Sequence, residues 1–103
     1  MRLIGGRDRN EGRLEIFHNG EWGTVCNDYF DQRSAKVVCN SLQLPASHAA
    51  AITNGEFGPG DGPVWLDDVK CKGRESGVEA CSHNGWGTHD CTHTQDVGVR
   101  CSK

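Results

Sequence analysis

Arg13-Leu14-Glu15-Ile16-Phe17-His18-Asn19-Gly20-Glu21-Trp22-Gly23-Thr24-Val25-Cys26 is the stretch from which the fold can be read. Leu14 and Ile16 alternate with Glu15, the period of a strand with one buried face. Asn19-Gly20 is the dipeptide that closes two-residue hairpins, because both central residues of that turn need positive φ. Trp22–Cys26 is then the returning strand. It delivers a cysteine at its end.

Cys26 is the first of six cysteines, followed by Cys39, Cys71, Cys81, Cys91 and Cys101. The count is even and no two form a CxxC pair, so they read as a disulfide framework made in an oxidising compartment rather than as zinc ligands. Spacing alone does not select the pairing. Three bridges over loops of ten or more residues would contribute about 3–4 kcal/mol each on the chain-entropy view. That support matters in a chain of 103 residues with 35% hydrophobic content and 14 glycines, which spans one domain, residues 1–103.

Downstream, Asp31 is a candidate helix N-cap. Ala35, Val38, Cys39 and Leu42 behind it fall at i, i+3, i+4 and i+7, giving one amphipathic helix that stops before Pro45. Residues 54–63, rich in Gly, Pro and Asp, read as a loop. Val64-Trp65-Leu66 reads as a short strand, Glu75 to Cys81 as a short second helix, and Val97, Val99 and Cys101 as the strand that closes the sheet. The expected architecture is α+β and disulfide-rich: a curved, mostly antiparallel sheet cradling one main helix, with long loops. Trp22, Trp65 and Trp86 are expected against the core or the bridges, Trp86 being the most exposed.

The net charge of −3 argues against a nucleic-acid partner. No apolar run reaches the ~20 residues of a membrane span, so membrane insertion is not expected. No signal peptide or N-glycosylation sequon is visible, and Met1 runs directly into strand-like sequence, as in an excised domain or a mature chain with an added start.

Four longer motifs then fall in order: Trp22-Gly23-Thr24-Val25-Cys26, Ala35-Lys36-Val37-Val38-Cys39, Gly62-Pro63-Val64-Trp65-Leu66-Asp67-Asp68-Val69-Lys70-Cys71 and Asp96-Val97-Gly98-Val99-Arg100-Cys101. Together they resemble a scavenger receptor cysteine-rich (SRCR) domain over essentially the whole chain, of the six-cysteine group A. The resemblance implies bridges Cys26–Cys91, Cys39–Cys101 and Cys71–Cys81. It also implies a non-catalytic extracellular module, secreted or part of an ectodomain, often repeated or oligomeric in its parent protein. Such modules bind polyanionic ligands or host and microbial surface proteins, commonly with calcium.

Calcium takes six to eight hard oxygen ligands. Similar domains build one site from two acidic residues after the first cysteine and a Glu near the last strand. Here those positions are Asn27, Asp28 and Gln95, two of them amides. A second site in such domains corresponds to Asp67 and Asp90, with Asp31 as a third candidate, a fully anionic set. One site is therefore expected rather than two. For these aspartates the alternative role is turn or helix capping, and for Asp31 capping is the stronger reading.

Arg7, Arg9 and Arg13 crowd the N-terminal segment, near Arg2. If extended, the segment would place Arg7 and Arg9 on one face, where guanidinium forks suit sulfate, phosphate or carboxylate. Arg33 and Arg100 are candidates to extend this patch. Gly12-Arg13-Leu14-Glu15-Ile16, with Trp22 beyond it, is similar to a bacteria-binding segment of a mucosal agglutinin, but reads first as strand. His89 and His93 flank a cysteine expected to be bridged, so no zinc site is expected, and no nucleophile-elbow motif supports an enzyme. Two other functions remain open on these residues: calcium-independent protein–protein interaction, and a structural spacer beside a catalytic domain.

Overall fold

The computed structural model describes residues 1–103. Its strands are β1 (Arg2–Gly5), β2 (Glu11–His18), β3 (Glu21–Val25), β4 (Ala50–Ile52), β5 (Val64–Leu66) and β6 (Gly98–Arg100), and its helix is α1 (Gln32–Ser41). They form one six-stranded sheet in the order β4-β6-β2-β3-β5, with β1 also paired to β2. Every pairing is antiparallel except β3 with β5.

Strand β2 is the hub. It pairs β1 over Gly12–Glu15, β3 over Glu15–His18 and β6 over Glu11–Arg13. The hairpin turns at Asn19 (φ 52°) and Gly20 (φ 84°), the double positive φ that the dipeptide predicts. Gly23 is required for packing, since a Cβ there would lie 2.3 Å from the Trp65 ring.

Helix α1 starts where Asp31 accepts hydrogen bonds from the amides of Arg33 and Ser34. Its buried face (Ala35, Val37, Val38, Cys39) packs with Leu14, Ile16, Val25, Leu66, Val97 and Val99 of the sheet region in one core. The bridges are Cys26–Cys91, Cys39–Cys101 and Cys71–Cys81, the pairing implied by the resemblance.

Two expectations need correction. The helix predicted over Glu75 to Cys81 shrinks to a single 3₁₀ turn, Val78–Ala80. The Glu75 carboxylate accepts the amides of Lys72, Gly73 and Arg74, which holds that stretch in a tight turn and delays any helical start. Of the tryptophans, Trp65 packs against the core as expected, whereas Trp22 and Trp86 do not. Trp22 and Trp65 are only half-buried and Trp86 is exposed. Trp65 and Trp86 form a surface aromatic layer with His18, which stacks on Trp86 at 3.7 Å with Trp65 edge-on to both, while Trp22 packs edge-on to Phe17. The Trp65 indole N–H donates to the Glu21 carbonyl, so the ring keeps its polar edge satisfied.

Candidate functional site

A group of carboxylates with no lysine or arginine partner lies where the Cys26–Cys91 bridge meets the segment after β5. One oxygen each of Asp28 and Asp67 and the two bridge sulfurs all lie within 4.8 Å of one another. Asp67, Asp68, Asn84, Thr88, His89 and Asp90 line an adjoining open depression of about 280 Å³. The fold thus merges residues from both expected calcium sites, Asp28 from one and Asp67 and Asp90 from the other.

Asp67 is buried, at 1% exposure. Its Oδ1 accepts the Asp68 amide at 2.8 Å, and no lysine or arginine pairs with it. Burial pushes its pKa up, the neighbouring Asp68 and Asp28 charges push it further, and amide hydrogen bonds from Asp68 and Asp90 only partly oppose the rise. Asp68 holds a left-handed backbone (φ 55°), and its Oδ2 accepts the Asn84 side-chain amide at 2.7 Å.

The donor set is hard oxygen and net negative. The neighbouring sulfurs are tied in a disulfide and offer no thiolate. The carboxylate oxygens are of the kind that calcium takes. Asn84 was not expected as a member of the site. Asn84 enters only because the Lys70–Ser82 bridge folds residues 82–90 back toward Asp67.

The remaining expected ligands lie elsewhere. Asp31 caps α1 and pairs with Arg33 at 3.0 Å, so it is not a third ligand. The Asn27 side chain donates to the Thr53 carbonyl, and Gln95 Oε1 accepts the Thr92 amide within a capping box. Backbone pairing joins Asn27 to Gln95 at 2.8 Å; the Gln95 side-chain oxygen is taken by Thr92, whereas Asn27 uses only its Nδ2 donor. Of the His89/His93 pair, His89 Nδ1 accepts the Cys91 amide, and His93 is bound to Asp96 and Gly62.

The arginine patch also divides. Residues 6–10 form a turn, held by Asp8 Oδ1 accepting the Asn10 amide, so Arg7 and Arg9 are not on an extended strand. Both are exposed, with Arg7 3.5 Å from Glu11. Arg13 is engaged inside the fold. Its Nε donates to Glu15 at 3.0 Å, and its Nη1 to the carbonyls of Phe57 and Gly58 at 3.1 and 3.3 Å. Arg2 shares Glu15 at 2.7 Å and covers the Trp22 ring at 4.0 Å. Arg100 meets the other carboxylate of β2, Glu11, at 2.7 Å. In Gly12–Ile16 every residue but Arg13 is buried, so the segment is structural strand.

A sequence profile of the scavenger receptor cysteine-rich domain matches residues 4–102. The chain is 49% identical to mouse macrophage scavenger receptor types I and II, with 99% of the chain covering 22% of that protein. It is 48% identical to mouse lysyl oxidase homolog 2, with 100% of the chain covering 13%. It therefore spans less than a quarter of either relative. Among solved structures, the third SRCR domain of murine neurotrypsin superposes with a TM-score of 0.88 and 42% identity, over 97% of this chain and 92% of that one. The dimeric form of the SRCR domain of mouse MARCO gives 0.82 and 41%, over 99% and 94%.

Proposed function

The chain belongs to the scavenger receptor cysteine-rich family, and from that premise we propose that it binds polyanionic or protein ligands with the help of calcium held by Asp28, Asp67, Asp68 and Asp90. The domain is a non-catalytic, disulfide-bonded binding module of extracellular type. The observation that carries the calcium reading is Asp67, a buried carboxylate beside two more carboxylates with no cationic partner. A divalent ion supplies the missing positive charge, and its open coordination positions reach an anionic ligand or order the loop around Asn84. Arg7 and Arg9, exposed on their turn, offer a separate cationic contact.

Calorimetric titration of calcium into metal-free protein tests this. Dissociation constants of about 0.1–1 mM are expected, as in other extracellular modules, with binding abolished in Asp67→Asn/Asp90→Asn. Absence of heat at several times that concentration, with the three bridges intact, would refute it. The Gln95 side-chain oxygen, already taken by the Thr92 amide, supports a second reading, calcium-independent protein interaction.

A further inference from the structure

Of the eleven lysines and arginines, Arg2, Arg7, Arg13, Arg33 and Arg100 are in ion pairs. Of the unpaired cations, Lys70, Lys72 and Arg74 gather beside the Cys71–Cys81 bridge. There they rim two adjoining open depressions of about 380 and 430 Å³ that share Lys70, Lys72 and Ser82. The Asp31-paired Arg33 stands at the far rim.

Apart from Ser82, the lining between these charges is apolar. Tyr29, 65% exposed, lies beneath Lys70, whose Nζ is 4.2 Å from the ring centroid. The Cys71 bridge end and Ala80 complete it. Tyr29 is held at φ 63°, a left-handed conformation that a bulky residue adopts only at a conformational cost. A strained, exposed aromatic between unpaired cations is the composition of an interaction hot spot.

We propose that this face binds an acidic protein segment in which carboxylates alternate with apolar side chains, and that it does so without calcium. Three cations spaced around an apolar floor match separated carboxylates with aliphatic or aromatic residues between them. A sulfated glycan matches less well. Its continuous anionic array would meet the carboxylates of Asp31 and Glu75 on the same rims, and its hydrated surface would gain little from Tyr29. The site is distinct from the Asp67 cluster, so neither reading depends on the other.

The test is selection of short random peptides displayed on phage against the oxidised chain in EDTA, which removes calcium as a variable. Enrichment of acidic-apolar sequences is expected. Their affinity should fall at least about a hundredfold in Lys70→Glu/Lys72→Glu/Arg74→Glu, where attraction becomes repulsion. Tyr29→Gly separates binding from folding, because it removes the ring and the strain together. It should raise the melting temperature while weakening the peptides about tenfold. Enrichment without acidic bias would overturn the proposal, as would unchanged affinity in the triple variant. Heparin binding in EDTA that vanishes in that variant, with no acidic peptide enriched, would assign the face to a sulfated glycan instead.

Discussion

Replacing Arg13 by Met should destabilise the domain by about 3 kcal/mol without involving any ligand. The guanidinium is 13% exposed and makes three contacts at once: Glu15 on its own strand, and the carbonyls of Phe57 and Gly58. Breaking a buried ion pair by removing one partner costs about 3–5 kcal/mol, because a charge is left buried. Here Arg2 still reaches Glu15 at 2.7 Å and lowers that figure, while the two lost carbonyl bonds raise it. At about 4–8 °C per kcal/mol for a domain near this size, the melting temperature should drop by about 12–24 °C. Guanidinium unfolding with the bridges intact measures the free energy, and amide exchange should show residues 54–63 opening first, since Arg13 is one of their tethers. Arg13→Met/Glu15→Met should recover part of the loss, because both buried charges are then gone. A stability change below about 0.5 kcal/mol, the range of ordinary surface substitutions, would refute the structural role and return Arg13 to the ligand-binding surface.

His93 should make stability depend on pH near neutrality. Desolvation lowers its pKa, but the hydrogen bonds to Asp96 and the Gly62 carbonyl (each 2.8 Å), with the charges of Asp96 and Asp61, raise it overall. Both bonds form together only in the imidazolium, so the stabilisation is complete below about pH 6.5 and is lost as pH rises through the folded pKa; His93→Gln should flatten that slope in melts taken from pH 5 to 9. Glu11 has the opposite sign. The Arg100 hydrogen bond, then the Arg7 amide, lowers its pKa to about 2, so its contribution is present above about pH 4.5 and disappears as pH falls through about 2; acid unfolding of Glu11→Gln should lack that component. Cys39→Ala/Cys101→Ala opens a bridge with a sequence separation of 62 and should cost about 4 kcal/mol, read from denaturant midpoints.

The local elements were legible because their signals are local. The Asn19-Gly20 turn and the Asp31 cap with its apolar stripe each specify backbone geometry within a few residues. Strand β4 was not legible. Ala50-Ala51-Ile52 carries no alternation, and it is a strand only because β6, half the chain away, offers an edge. The same reasoning covers the charged residues. Asp8 and Gly5 (φ 90°) bend the Arg7–Arg9 segment, and the partners of Arg13 come from residues 57 and 58, which no spacing rule brings near. The acidic site was half visible. Asp28, Asp67 and Asp90 are recognisable as carboxylates near cysteines, but which ones converge depends on the Cys26–Cys91 crosslink. The pairing itself came from family resemblance.

Strand β2 has a mechanical consequence. Strands β1 and β6 are both antiparallel to it and so run in the same direction as each other, one entered at Arg2 opposite Glu15 and the other left at Arg100 opposite Glu11. Tension applied along the polypeptide pulls them in opposite senses past β2, so the ladder bonds are sheared together rather than unzipped one at a time. Beyond Arg100 the load passes through Cys101 to Cys39 and into α1, a covalent path that no extension of the backbone can bypass. Pulled from its two ends, the domain behaves as a stiff link.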